Sequence, residues 1–360
     1  MKKQNWIVWV LIVVMMLGLV GCNSNTGNAP AAPANAEATA AAEPAATPES
    51  AVETTAPQAE YKVAVLIPGS INDGGWGTTG YESAKAAADA IGAVEFSYTE
   101  TKSPQDAVDA LTDYGERGFT VVFCHSYDYQ DACAKVAGDY PQTQFVTSGG
   151  TTRTENITPI YVKSEQASYM LGVVAAKMTK TKKIGIVGSE ELPAITKTLK
   201  GFSQGITDTD PTVEPIVTYL GTGTDVGKGR EATLALINNG CDIIFGNANA
   251  AAQGVFQAVD ESKAKGVLGI GSYARITQKY PDCFIADYLS EYKPVMVEIA
   301  QKIVDGTFVP GEDYFADIFN GGASVYFNDK LPVSADAMAA YDAAKEKFKT
   351  NSITIDIGEY

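Results

Sequence analysis

Tyr61-Lys62-Val63-Ala64-Val65-Leu66-Ile67-Pro68-Gly69, followed by Asn72-Asp73-Gly74-Gly75-Trp76-Gly77, is the stretch that decides the fold. The first part reads as a short apolar strand that ends in a loop. A helix over 79–92 comes next, with Tyr81, Ala84, Ala88 and Ile91 on one face. The order then repeats outward. Strands fall at 94–98, 120–124 and 144–147. Between them lie a helix opened by Ser103-Pro104 and running through 114, and a helix over 131–139. Short apolar strands alternating with helices mean a parallel sheet covered on both faces.

After a longer helix over 165–178, the pattern restarts. Lys183-Ile184-Gly185-Ile186-Val187-Gly188 mirrors the opening strand. Strands at 214–219, 242–246 and 266–271 alternate with helices at 195–206, 227–238 and 251–260. Two similar runs in tandem predict an α/β protein with two Rossmann-like lobes of one kind. The expected division is 60–163 plus 283–306 for the first lobe, and 164–282 plus 307–350 for the second. Ligands of open α/β sheets bind past the carboxyl ends of the strands. Two facing lobes therefore place those loops around one cleft.

The start of the chain has a different character. Two lysines precede an apolar run over 6–20, which leads into Leu19-Val20-Gly21-Cys22. The run is about 15 residues long, shorter than the ~20 a membrane span needs. It has the layout of a bacterial lipoprotein export signal, 1–21, with Cys22 as the lipidated new N-terminus. Residues 22–59, rich in Ala, Pro, Thr, Asn, Ser and Glu, cannot bury enough surface to offset ordering and read as a tether. The expected place is the outer face of the cytoplasmic membrane, held to the bilayer by lipid.

The formal charge of −16 argues against a nucleic-acid partner. Cys124, Cys133, Cys241 and Cys283 are too sparse for a disulfide scaffold, and buried thiols are the default reading, although one bridge stays open outside the cell. With one histidine, His125, no His-rich metal site exists, and no cofactor or metal is expected. Gly221-x-Gly223 lacks the later glycine of a nucleotide fingerprint, and no GxxxxGK[ST] loop occurs. A hydrolase is disfavoured, because neither a Gly-x-Ser-x-Gly elbow nor HExxH is present.

The cleft residues follow from the strand ends. The first loop offers Asn72, Asp73 and Trp76. Asp73 can accept from a ligand, and Trp76 either stacks on a flat ring or plugs an apolar gap. The loop after the third strand offers Ser126, Tyr127, Asp128 and Asp131, the last equally able to cap a helix. His125 reads as a brace for that loop. From the second run come Glu190, Asn249 and Tyr273, and from the late strand Asp287.

Ile71-Asn72-Asp73-Gly74-Gly75-Trp76, Tyr81-Glu82, Cys124-His125-Ser126-Tyr127-Asp128-Tyr129-Gln130-Asp131-Ala132 and Glu190-Glu191-Leu192-Pro193 resemble the basic membrane protein family. The resemblance spans most of 61–345 and implies a periplasmic-binding-protein-like type I fold, two Rossmann-like lobes with a central cleft and a hinge. It implies a lipid-anchored binding protein that hands a purine nucleoside or similar ligand to an ABC permease with its cytoplasmic ATPase. It also implies ligand contact by Asp73 and stacking by Trp76 and Tyr127. Three positions depart from the family pattern. Gly77 stands where Asn is usual. Gly271-Ser272-Tyr273 holds no Asp for a ribose, and Ala286-Asp287-Tyr288-Leu289 holds no Lys. An aromatic sandwich without the sugar clamp suits a free base or another flat heterocycle, with a nucleoside held by Asp73 and Asn249 as the open alternative. A receptor of the same fold, signalling through a membrane partner, is the second expectation.

Overall fold

A computed structural model describes residues 60–72 and 76–357. The expected signal, Cys22, the tether and Asp73 lie outside the described residues. The described residues belong to one compact unit.

Strand β1 (Lys62–Pro68) shows why the opening stretch carries the fold. Its five central residues are buried. Val63, Val65 and Ile67 point to one face, against Ala84, Ala87 and Ala88 of α1 (Trp76–Ala90). Ala64 and Leu66 point to the other face, among Leu111, Tyr114 and Phe119. Side chains alternate along a strand, so a run that is apolar at every position demands cover on both sides. β2 (Glu95–Thr101), by contrast, mixes polar and apolar residues and sits at the sheet edge. α2 (Pro104–Glu116) starts on a reciprocal cap: Ser103 Oγ accepts from the Asp106 N–H, and the Asp106 carboxylate accepts from the Ser103 N–H. β3 (Val121–Cys124), α3 (Gln130–Val136), β4 (Gln144–Ser148) and β5 (Ile157–Val162) extend the lobe.

The second lobe is built by α4 (Ser164–Met178), β6 (Lys183–Gly188), α5 (Pro193–Thr209), β7 (Glu214–Tyr219), α6 (Val226–Asn238), β8 (Ile243–Asn247), α7 (Ala252–Glu261), β9 (Leu268–Ser272) and α8 (Ile276–Lys279). α4 and α5 meet backbone to backbone. A Cβ on Gly205 would stand 2.0 Å from the Tyr169 carbonyl oxygen, and one on Gly172 would stand 2.1 Å from that of Phe202. The remaining elements are β10 (Phe284–Ser290), α9 (Lys293–Val304), β11 (Tyr314–Ala316), β12 (Ala323–Phe327) and α10 (Ala335–Lys349).

The first sheet has the order β11-β5-β4-β3-β1-β2, parallel throughout. The second has the order β12-β10-β9-β8-β6-β7, parallel except for β12 against β10. Strand order reverses between β1 and β3 in one sheet and between β6 and β8 in the other. Loops diverge at such switch points and leave a crevice.

The late segments divide differently from the expected boundaries. β10, expected in the first lobe within 283–306, pairs with β9 and β12 in the second sheet. The Phe284 ring occupies the space beside Gly269, which seats β10 there. α9, from the same stretch, does pack on the first lobe through Val295, Met296 and Ile299. β11, expected in the second lobe within 307–350, lies in the first sheet beside β5. β5 and β11 themselves were not expected from the sequence.

The chain thus passes between the lobes three times, at 163, 291–292 and 317–322. The passages are tied together. Lys163 N–H donates to Ala316 O (2.8 Å), Glu291 N–H to Gly322 O (2.8 Å), and the Lys197 ammonium of α5 to Val162 O (2.6 Å). Burial pushes the Lys197 ammonium down, while Glu165 at 3.7 Å holds it up. Parallel connecting segments of this kind form a hinge.

Candidate ligand site at the strand ends

The first-lobe side is made of rings. Trp76 is the first residue of α1, where the chain leaves the β1 loop. Its Nε1–H donates to the His125 carbonyl (2.8 Å), and its ring lies on the His125 imidazole at 4.0 Å and 18°. Tyr292, at the second lobe passage, meets both rings edge-on, at 5.3 Å and 4.8 Å. His125 is wholly buried, with Nδ1 2.9 Å from Ser148 Oγ. Gly80 makes room for it, since a Cβ there would stand 2.3 Å from the imidazole. The histidine therefore backs one face of Trp76, a contact with the first loop rather than the bracing of its own loop that the sequence suggested. Trp76 nonetheless remains 43% exposed.

The β3 loop sorts its tyrosines. Tyr129 turns inward and its hydroxyl meets Thr101 Oγ1 at 2.6 Å, while Tyr127 is 59% exposed. Ser126 is buried, and its Oγ accepts from the Asp128 N–H (3.2 Å), so it shapes the turn. Asp128 and Asp131 are exposed, and Asp131 makes no helix cap. Gln130 Oε1 accepts from Thr151 N–H (3.1 Å) and ties the β3 and β4 loops. Asn72 is exposed beside the β1 end, where its N–H donates to Ser70 Oγ (3.2 Å).

The second-lobe side is polar and conformationally strained. Asn249 and Tyr273 both take positive φ, 51° and 68°. The αL region is tolerable for Asn but uncommon for Tyr, and such conformations cost of order 1–3 kcal/mol unless the surroundings impose them. Here the two residues hold each other: the Asn249 N–H donates to the Tyr273 hydroxyl (3.2 Å). Asn249 Nδ2 reaches Ser189 Oγ in the β6 loop (3.4 Å). The Ala251 N–H donates to Gly223 O (3.0 Å), bringing in the β7 loop. Glu190 is exposed in the β6 loop.

Asp287, expected to face ligand, does not. It is fully buried, and its carboxylate accepts from the Thr277 N–H (3.1 Å) and hydroxyl (2.5 Å), with Arg275 Nε at 3.5 Å. Burial pushes this carboxyl up, against the lowering by Thr277 and Arg275. A residue three positions short of a strand end still lies inside the sheet, and its register partner is Gly271. The missing side chain at 271 is what admits it, since a Cβ there would stand 2.5 Å from Asp287 Oδ1.

Two contributors were missed from sequence: Tyr292 behind the Trp76–His125 pair, and Arg275 in the β9 loop. The signal for Arg275 was present, as a cation within three residues of a strand end. Cavities of about 310 and 470 Å³ lie elsewhere, on the flank of the second lobe near Gln204 and near Asp208.

Comparisons with known proteins agree with this architecture. The family described as ABC transporter substrate-binding protein PnrA-like matches residues 60–357. The ABC transporter nucleoside-binding protein BmpA of Lactococcus lactis subsp. cremoris is 26% identical over 259 residues, covering 68% of this chain and 74% of that one. A purine-binding protein of Brucella abortus is 26% identical over 251 residues, covering 69% and 70%. An ABC transporter solute-binding protein from Conexibacter woesei superposes with a TM-score of 0.68 at 24% identity, over 83% of this chain and all of that one. The last likeness speaks to the fold.

Proposed function

The chain belongs to the PnrA-like family of ABC transporter substrate-binding proteins, and from that premise we propose that its ligand is a purine, taken as the free base. Members of the family capture a small solute outside the cytoplasm for an ABC permease. The observation that carries the ligand reading is Trp76. Its indole is backed by His125, fixed through Nε1, and still exposed at the switch point of the first sheet. A rigid aromatic face held at a cleft edge suits a flat ring, because stacking rewards planarity and tolerates varied substituents. Tyr127, exposed in the loop after β3, is the ring proposed for the opposite face, and Asn72 and Asp73 lie in the loop just before Trp76 by sequence.

The base is preferred to the nucleoside for a physical reason. Position 271 is glycine, and the space beside it is filled by the Asp287 carboxylate, which is spent on Thr277 and Arg275. No acid of that strand pair is left to hold a ribose. Calorimetry against adenine, guanine, hypoxanthine and their nucleosides tests the reading. Tighter binding of a base than of its nucleoside supports it. Equal or tighter nucleoside binding removes the base preference, and silence across the panel removes the purine.

We also propose lipid attachment at Cys22, with 22–59 as the spacer. Replacing Cys22 by Ser should move the chain from the membrane fraction to the soluble one; retention in the membrane would contradict it.

A further inference from the structure

Arg275 has an unusual position for a charged side chain. It follows Tyr273 in the β9 loop, at the carboxyl edge of the second sheet. Its guanidinium carbon sits 4.1 Å from the centre of the Tyr326 ring, and its Nε lies 3.5 Å from the buried Asp287 carboxylate. Those two contacts hold the guanidinium between the Tyr326 ring and the Asp287 carboxylate, yet Nε is buried without a hydrogen bond at normal distance. The described contacts show no hydrogen bond from either terminal nitrogen, and the side chain remains 35% exposed.

The surroundings connect this arginine to the first lobe. The Tyr326 hydroxyl donates to Glu291 Oε1 (2.7 Å). Glu291 precedes Tyr292, which stands edge-on to Trp76. The arginine and the tryptophan thus lie at the two ends of one short chain of contacts, Arg275–Tyr326–Glu291 and Tyr292–Trp76, across a lobe passage. A ring lying on Trp76 would turn one of its edges toward the second lobe.

We infer that Arg275 reads that edge, offering its planar fork to two coplanar acceptor atoms, such as the carbonyl oxygen and ring nitrogen of a 6-oxopurine. This inference rests on the purine reading of the same site. A guanidinium presents parallel N–H donors, which match the O6 and N7 acceptors of guanine or hypoxanthine; adenine offers a donor in place of O6. A carboxylate carries the same paired acceptors. Asp287 already supplies a counter-charge to Arg275, so a neutral ligand meets the fork without a further anion. That favours the oxopurine over the carboxylate.

The test is calorimetry on the full chain with hypoxanthine, adenine and benzoate. Arg275→Lys keeps the charge beside Asp287 and loses the fork. The double variant Arg275→Gln with Asp287→Asn removes both charges, so neither variant leaves a buried acid without a partner of some kind; thermal melting identifies those that fold. The expected result is hypoxanthine over adenine by about 10- to 100-fold in the parent, with the preference lost in both variants and no binding of benzoate. Equal binding of the two purines, or a preference that survives in either folded variant, overturns the role of Arg275 while leaving the purine reading in place. Benzoate tighter than hypoxanthine overturns the oxopurine assignment. Failure of every purine overturns both readings together.

Discussion

The two lobes repeat one strand order, apart from the direction of the last strand, but carry opposite materials at their strand ends. The first lobe presents rings: Trp76 backed by His125 and Tyr292, with Tyr127 exposed in the loop after β3. The second presents polar groups on a strained backbone: Asn249 and Tyr273 at positive φ, and Arg275 anchored by Asp287 and Tyr326. Apolar stacking is non-directional and supplies affinity. Hydrogen-bond donors in fixed positions supply selection, because a mismatched partner leaves them unpaired. The difference teaches that a duplicated architecture need not duplicate a site.

The sharpest way to break the contrast is Trp76→Ala. It should weaken every flat ligand alike, by roughly 1–3 kcal/mol or about 10- to 100-fold, as loss of a base-stacking ring does. Calorimetry that finds a loss confined to one purine would assign selection to the first lobe instead.

A paired glycine experiment comes next. Gly80→Ala drives a Cβ to 2.3 Å from His125, and Gly205→Ala drives one to 2.0 Å from Tyr169 O. Overpacking of this sort costs about 1–3 kcal/mol, read from urea midpoints. Only Gly80→Ala should also weaken the ligand, since His125 backs Trp76. Equal ligand affinity in the two variants would disconnect the histidine from the site.

Asn249 tests the strained side. Ala at φ 51° meets a penalty of roughly 1–2 kcal/mol that Gly avoids. Asn249→Ala should therefore unfold at lower urea than Asn249→Gly. Identical midpoints would mean that the surroundings do not impose the conformation.

The smallest effect concerns acid. Burial raises the Asp287 carboxyl above its unfolded value of about 3.9. The folded state then binds the proton more tightly than the unfolded one. That contribution is complete below the unfolded value and is lost as pH rises through the folded value. Between pH 7 and pH 4, the parent should gain stability relative to Asp287→Asn. A relative loss on acidification would give the Arg275 ion pair the larger role.

What was legible in the sequence follows from local physics. β1, β3 and β8 are apolar at consecutive positions, and only a sheet covered on both faces accommodates that. The loops after such strands locate the cleft edge, and Trp76, Tyr127, Asn249 and Tyr273 all stand there exposed. β5 was obscured by Pro159, and β11 has three residues, too few for a pattern. The lobe of β10 was illegible because pairing across a sheet depends on remote partners, here Gly269 and its missing side chain. Asp287 misled for a related reason: nothing local distinguishes an acid facing the cleft from one folded back over a neighbouring glycine. The Trp76–His125 stack joins residues 49 apart in sequence.

The central claim is that a ligand ring lies on the open face of Trp76. A chain beginning at residue 23 keeps Trp76 as its sole tryptophan, since the other two are Trp6 and Trp9. Its fluorescence can be titrated with hypoxanthine at concentrations where calorimetry shows saturation. The account predicts a saturable change in emission with the calorimetric midpoint and one ligand per chain. Full calorimetric binding with unaltered tryptophan emission would contradict it.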